Sequence, residues 1–507
     1  MGSWEKKFAS KHFRLDVLKS TIKLQMDILR ERVMMVSSEV SPWARSGGLA
    51  DVLAALPRAL ADLGHHVALV VPRYMRAADA PATRVIDQLP VPLGDTRFEV
   101  GVWAMTDPVG PGSVTCYFVE NAALFGSDSS RAGLYGDAKG DYPDNHIRFA
   151  LLARAALEIS RHLFHAQVFH CHDWQASLLP VYLHDGLARD PEFASARTLL
   201  TIHNLGYQGL FPAAALSDVG LSPNLYNPSQ LEFWGQINYL KAGIVFSDAI
   251  NTVSRKYAEE IQTPEFGFGL EGLLRERRGV LSGILNGVDY DRWNPATDPH
   301  IPARYTAEDL AGKRECKRIL LGESRLPERL LDRPLLGIIS RFASQKGFDL
   351  IGEVAAEIFR KDIGLVALGS GEAVYEELFR QFQRDFPDKV AVTLGFDDPL
   401  AHRIEAGSDI FLMPSLYEPC GLNQIYSLKY GTVPVVRATG GLDDTIDDST
   451  GFRFSAYNGS ALLGAVHDAL QAWENRDTWT ARMVRGMYRD FSWGPSARAY
   501  SNLYKRL

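Results

Sequence analysis

Between residues 335 and 438, short apolar runs and helix-length segments take turns, and this alternation restricts the chain to a mainly parallel sheet flanked by helices. The runs are Leu335–Ser340 (LLGIIS), Gly364–Gly371, Lys389–Phe396, Asp409–Pro414 and Thr432–Ala438. Between them lie the segments Asp349–Arg360, Ala373–Phe386, Pro399–Ala406 and Gly421–Tyr430, which read as helices. The earlier part of the chain shows a looser version of the same pattern. Arg32–Glu39, His66–Pro72, Gln167–Asp173, Ala196–His203, Asp248–Ser254 and Gly279–Gly287 read as strands, and Leu49–Leu63, Asn145–Phe164 and Gln230–Phe246 as helices. Segments between Thr83 and Glu120 read as hairpins added to that first body. The pattern predicts two doubly wound α/β domains.

A length of 507 residues is enough for two or three domains. The chain is 46% hydrophobic and 23% charged, as in an ordinary globular protein. A net charge of −7 argues against nucleic acid as the main partner. No apolar run reaches the roughly 18 residues a membrane helix needs. The four cysteines, Cys116, Cys171, Cys316 and Cys420, form no CxxC pair, which favours a reducing compartment and no structural zinc. The first thirty residues carry seven Lys or Arg against three Asp or Glu and have neither the apolar core nor the cleavage site of a secretory signal. Leu15, Leu18, Ile22 and Met26 are spaced for an amphipathic helix, so residues 1–31 read as an appended extension.

In parallel sheets, ligands bind outside the carboxyl ends of the strands. The residues at those ends are therefore the candidates. Glu418 lies in the turn after the strand Asp409–Pro414, beside Tyr417, Cys420, Gly421 and Leu422. Arg341 and Lys346 follow the strand Leu335–Ser340, and two cations there suit a diphosphate. In the first half, Arg45, Gly47 and Gly48 precede a helix whose N–H groups could face an anion. The hexapeptide Ser46-Gly-Gly-Leu-Ala-Asp51 is echoed by Thr439-Gly440-Gly441-Leu-Asp-Asp444, which reads as a direct exit from its strand. His170 and His172 alternate onto one strand face, but no third ligand lies at a recognisable spacing, so no metal is expected.

The stretch YEPCGLNQIYSLKYG, from Tyr417 to Gly431, resembles the nucleotide-sugar signature of the bacterial glycogen synthase and plant starch synthase family. Related retaining glycosyltransferases carry a second Glu eight residues after the first; here that place holds Tyr426, as in the glycogen synthase branch. Other elements resemble the family in order: SGGLAD with Arg45 where the family has Lys, HDWQ with Asp173, T-x-H-N with His203 and Asn204, Asn286-Gly-Val-Asp…Trp-Asn-Pro, and Ser-Arg341…Gln-Lys346-Gly.

The resemblance implies the GT-B glycosyltransferase fold, two Rossmann-like domains facing each other across a cleft. It places the acceptor-side domain at 32–295, the nucleotide-sugar domain at 296–490, and a C-terminal helix at 491–507 that crosses back to the first. It implies transfer of glucose from ADP-glucose to the non-reducing end of an α-1,4-glucan with retention of configuration. By the same resemblance Arg341 and Lys346, helped by the Thr439, Gly440 and Gly441 N–H groups, stabilise the departing diphosphate, and Glu418 fixes the glucose ring. Asp173 and His203 line the sugar and acceptor. Arg45, Gly47, Gly48, Asn286, Tyr417, Cys420, Gly421 and Leu422 border the donor, and Glu39, Asp51, Tyr135 and Asn204 lie on the acceptor side. No cofactor, metal, nucleic-acid or membrane partner is implied, and the location implied is cytoplasmic. Three other readings compete: UDP-glucose as donor, an inactive glucan-binding protein on the same fold, and a glucan phosphorylase, for which no pyridoxal-phosphate lysine motif is present.

Overall fold

The computed structural model describes residues 30–126, 131, 133–137 and 139–507. The helix expected around Leu15–Met26 lies outside the described residues. Two large sheets organise the molecule. The first has nine strands: β1 (Arg32–Val36), β2 (His66–Pro72), β3 (Thr83–Leu93), β4 (Thr96–Val109), β5 (Gly112–Glu120), β6 (Val168–His172), β7 (Arg197–Ile202), β8 (Ala249–Thr252) and β9 (Leu281–Gly283). Their order is β9-β8-β7-β6-β1-β2-β5-β4-β3. β1 pairs in parallel with β2 on one side and β6 on the other, so the strand order reverses at β1/β6. The expected hairpins are β3–β4–β5, an antiparallel extension of this sheet.

The second sheet contains β10 (Leu335–Ile339), β11 (Gly364–Gly369), β12 (Val390–Leu394), β13 (Ile410–Met413), β14 (Val433–Arg437) and β15 (Phe452–Phe454), in the order β12-β11-β10-β13-β14-β15. All of its pairings are parallel. Successive residues point to opposite faces of a strand, and here both faces are dry. Leu336 and Ile338 pack with Ile410, Leu412, Val433 and Val435 on one side, and Leu335 packs with Val366 and Leu368 on the other. That double burial is why the sequence shows unbroken apolar runs rather than an alternating pattern.

Six helices bear on the sites: α1 (Gly48–Asp62), α2 (Arg255–Glu260), α3 (Asp398–Gly407), α4 (Asn423–Lys429), α5 (Gly440–Thr445) and α6 (Trp493–Tyr504). Two sequence expectations are corrected. Gln230–Phe246 is not one helix: Glu232–Phe233 and Gln236–Asn238 form an antiparallel hairpin, and the helix starts at Tyr239. Trp234 and Gly235 both take positive φ, 53° and 82°, the two-residue turn a tight hairpin requires. The Thr439-Gly440-Gly441 stretch is not a direct exit either. It opens α5, much as Ser46-Gly47-Gly48 opens α1.

The chain divides into two compact units: one runs to Thr201, resumes over Tyr207–Ile250 and ends with Ala497–Leu507, and the other comprises Ile202–Gly206 and Asn251–Ser496. The changeover between these units falls at residue 250. Within the second unit, α2 is tied down by its side chains and N–H groups: Ser254 donates to the Pro419 carbonyl (2.6 Å), and the Arg255 and Lys256 N–H groups donate to Asp444 (2.6 and 3.2 Å).

Candidate active site

In the second sheet the strand order reverses between β10 and β13, and the loops leaving those two neighbours carry the charged candidates. Lys346 ends a short 3-10 turn, Ser344–Lys346, and Gly347 follows in the left-handed region at φ 70°. A Cβ on Gly347 would lie 2.0 Å from the Pro414 carbonyl, so only glycine lets the two loops approach this closely. The Leu416 N–H donates to the Gln345 carbonyl (2.9 Å), and the Gln345 amide donates to the Tyr417 carbonyl (3.1 Å). With the loops joined, Lys346 Nζ sits 2.7 Å from Glu418 Oε2, and Ser415 Oγ donates to the same oxygen at 3.1 Å. Glu418 is 6% exposed. A carboxylate is costly to bury to that degree without such partners. Arg341 is exposed, and its guanidinium makes no hydrogen bond or ion pair among the described residues.

The loop after β14 closes the other side. Gly440 takes φ 46°, and a Cβ there would lie 1.9 Å from the Glu418 carbonyl. The three N–H groups expected to meet a diphosphate are engaged within the protein. Thr439 N–H donates to the Arg437 carbonyl, Gly440 N–H to the Glu260 carboxylate (3.1 and 3.2 Å), and Gly441 N–H to the Glu418 carbonyl (3.0 Å). Thr439 Oγ1 also donates to Glu260, at 3.0 Å. Burial pushes the Glu260 carboxyl upward, against the hydrogen bonds from Gly440 and Thr439. Through the Gly441 N–H the loop is tied to the Glu418 backbone.

Tyr417 meets Phe268 edge to face, with centroids 5.5 Å apart. Burial drives the Cys420 thiol up to about 12, against hydrogen bonds from Asn286. It is therefore a neutral thiol and no nucleophile at pH 7. Asn286 Oδ1 is buried with no hydrogen-bond partner among the described residues. Gly421 is left-handed at φ 67° beside Leu422, the residue before α4. His203 and Asn204 follow β7. Asn204 Oδ1 accepts the Gly206 N–H at 3.0 Å. Desolvation lowers His203 to about 3, so its imidazole is neutral at pH 7.

In the first unit the loop after β1 is built on Glu39. Its buried carboxylate accepts the Ser46 N–H (2.7 Å), the Gly47 N–H (3.2 Å), the Ser46 hydroxyl and the Tyr135 hydroxyl (2.6 Å). The Ser46 and Gly47 donors, expected to face an anion, are thus bound to an internal carboxylate. Tyr135 is also within 2.8 Å of Ser38 Oγ. Gly47 and Gly48 are exposed, and a Cβ on Gly47 would meet nothing within 4 Å. Arg45 pairs with Asp51 at 3.1 Å. Asp173, directly after β6 and so at the reversal of the first sheet, holds φ 57°. A non-glycine residue there stores strain of about 1–3 kcal/mol, a feature that clusters at functional sites. Of the histidine pair, His170 is held on both ring nitrogens: Nδ1 meets the Tyr504 hydroxyl at 2.8 Å and Nε2 meets Thr201.

Sequence reasoning missed Glu260 and Ser415. Ser415 stands three residues before Glu418 in the same turn, a spacing that could have suggested it. Glu260 is 179 residues from Thr439, and no local pattern announces it.

Residues 32–276 match the family model described as the starch synthase catalytic domain, and residues 325–483 match glycosyl transferases group 1. The chain is 48% identical over 482 residues to a glycogen synthase from Koribacter versatilis, covering 94% of this chain and 98% of that one. It is 50% identical over 483 residues to a glycogen synthase from Anaeromyxobacter sp. strain Fw109-5, covering 94% and 99%. The structure of the catalytic domain of starch synthase IV from Arabidopsis thaliana, bound to ADP and acarbose, is similar with a TM-score of 0.84 and 32% identity, covering 94% of this chain and 99% of that one. Sucrose-phosphate synthase from Thermosynechococcus elongatus, at 17% identity and a TM-score of 0.58 over 94% of this chain and 99% of that one, shares the fold. Two Rossmann-like α/β sheets, each with a charged cluster at its reversal point, and relatives matched along nearly their whole length place the chain in the glycogen and starch synthase family of GT-B glycosyltransferases.

Proposed function

We propose that the protein is an ADP-glucose-dependent glycogen synthase that adds glucose to the non-reducing end of an α-1,4-glucan with retention. The observation that carries this is the Lys346–Glu418 pair at the β10/β13 reversal, with the Arg341 guanidinium uncommitted in the loop after β10. Lys346 and Arg341 are assigned to the diphosphate oxygens. As the bond from glucose C1 to the β-phosphate oxygen breaks, charge grows on that oxygen, and cations brought onto it lower the barrier. Glu418 is assigned to the glucose hydroxyls. When donor enters, Lys346 turns from Glu418 to phosphate, and Glu418 takes up a sugar hydroxyl in its place.

The glucan hydroxyl forms the new bond to C1 on the face the diphosphate leaves, and its proton passes to the departing phosphate. Such a route needs no side-chain nucleophile, and the neutral Cys420 thiol fits that. The Asn286 Oδ1 acceptor and Tyr417 are assigned to the donor; Asp173, His203 and Asn204 to sugar and acceptor. The loop of Glu39, Arg45, Gly47, Gly48, Asp51 and Tyr135 is assigned to the same reaction from the first unit. ADP, named as a ligand of the starch synthase IV structure, supports adenine over uracil in the donor.

No helix among the described residues is long and apolar enough to cross a membrane, and all four cysteines are free. These features support a cytoplasmic enzyme. The test is a donor screen with purified protein and glycogen primer. Glucose should be incorporated from ADP-glucose in preference to UDP-glucose. A UDP-glucose preference would overturn the donor assignment, and glycogen binding without transfer would make the protein a glucan-binding module.

A further inference from the structure

We propose that His300, Asp398 and His402 form a binding site for a zinc-class divalent cation, separate from the transferase chemistry, that clamps the segment after Trp293 to α3. Asp398 and His402 stand four residues apart on α3, a spacing that puts both side chains on one helix face. His300 comes from the segment preceding the second sheet. One ligating atom from each of the three lies within 4.8 Å of the other two. Tetrahedral bonds of about 2.0–2.2 Å put ligand atoms about 3.3 Å apart. The exposed His300 side chain is free to make up that difference.

The second observation concerns His402, which is fully buried. Its Nδ1 lies 2.7 Å from Asp298 Oδ2. A carboxylate only accepts, so Nδ1 carries the proton and Nε2 keeps its lone pair. Nε2 is buried with no hydrogen-bond partner among the described residues. A carboxylate that orients one imidazole nitrogen while the other ligates is the usual support of a metal-binding histidine. Asp298 is itself held by the Tyr430 hydroxyl and accepts the His300 N–H through Oδ1 at 2.8 Å, so one carboxylate positions both histidines. The imidazole is locked further by Trp293, stacked on it at 3.8 Å and 6°. Two imidazoles and one carboxylate select a borderline transition-metal ion over Mg²⁺ or Ca²⁺, and leave a fourth position for water. Arg292 is the competitor: its Nη2 lies 2.6 and 2.7 Å from the two Asp398 oxygens, and a metal must share or displace it.

The experiment titrates Zn²⁺ and, separately, Mg²⁺ into EDTA-treated, dialysed full-length protein by calorimetry, with thermal melts in parallel. One Zn²⁺ should bind per chain and raise Tm, with no equivalent Mg²⁺ uptake. His300→Ala, at an exposed position, and Asp398→Asn should each weaken Zn²⁺ binding by roughly tenfold to a hundredfold or more. The metal-free melt of His300→Ala should stay at the metal-free wild-type value, which separates lost binding from lost folding; Asp398→Asn also loses the ion pair to Arg292, so its affinity is read well below its own metal-free Tm. Absence of Zn²⁺ uptake by the wild type, unchanged affinity in either variant, or equal uptake of Mg²⁺ would overturn the proposal.

Discussion

Glu418 is held by Lys346 and Ser415 before any substrate arrives, so its substitution separates orientation from charge. Glu418→Ala should leave a folded protein and lower kcat by about a hundredfold or more, the scale seen when a group that acts on developing charge is removed. Glu418→Gln keeps a hydrogen-bonding group but loses the ion pair, and should fall between. Initial rates with saturating donor decide it, and near-normal turnover in folded Glu418→Ala would remove the residue from the site. Arg45 makes a second case. It stands where the family has Lys, and here it pairs with Asp51. A charge-assisted bond is worth ~1.5–3 kcal/mol, so Arg45→Ala should lose roughly tenfold to a hundredfold in kcat/KM for the donor, with Arg45→Lys in between and the acceptor KM little moved. A change in glucan KM alone would put Arg45 on the acceptor path. At this scale the sequence shows which residues stand at strand ends, because apolar runs are easy to find. Their partners were harder to see: backbone N–H groups that look vacant in the sequence, at Gly440 and Gly47, are bound by Glu260 and Glu39, and only the folded chain brings those carboxylates near.

Elements were legible wherever burial is two-sided. Five of the six strands of the second sheet match the alternation to within a few positions; β15, a three-residue edge strand with Arg453 exposed, was not expected. The Trp234–Gly235 hairpin was missed because a two-residue turn with positive φ leaves little composition signal when its first residue is Trp. The C-terminal helix α6 shows how an element is anchored by chemistry as well as packing. Ser501 meets His65 Nε2 at 2.9 Å, while His65 Nδ1 accepts the Glu31 N–H at 3.1 Å. Burial, aided by the Lys505 charge, lowers His65 to about 4. In the unfolded chain the same imidazole titrates near 6.5. Between those values the unfolded state binds the proton and the folded state does not. The anchor therefore contributes fully above pH 6.5, and the contribution is lost as pH falls toward 4. The shift corresponds to roughly 3 kcal/mol at most. Urea midpoints at pH 7.5 and 4.5 should differ less in His65→Gln than in the wild type. Equal differences would show that the anchor is not pH-linked.

For the whole molecule, the question is whether positive charge from the protein alone suffices for a diphosphate leaving group. The chain carries a net −7, so Lys346 and the uncommitted Arg341 guanidinium at the β10/β13 reversal are a local departure from the average. On the proposed assignment, these two cations would supply the electrostatic stabilisation that a bridging metal ion supplies in other diphosphate enzymes. Activity should therefore survive exhaustive EDTA treatment, with kcat at 25 °C unchanged within about twofold, an effect well under 1.4 kcal/mol in barrier. Arg341→Ala and Lys346→Ala should each lower kcat strongly, and added Mg²⁺ or Mn²⁺ should not restore either. A metal held by His300, Asp398 and His402 would be stripped by the same treatment, but its loss acts on the unfolding equilibrium, because a ligand bound only to the folded state stabilises it by mass action. EDTA should then lower Tm while the rate at 25 °C holds. If the rate collapses and Mg²⁺ or Mn²⁺ restores it, the leaving group is stabilised by a metal and the roles given to Arg341 and Lys346 are wrong. If rate and Tm fall together and only Zn²⁺ restores both, the His300 site is coupled to catalysis, and its separation from the transferase chemistry fails.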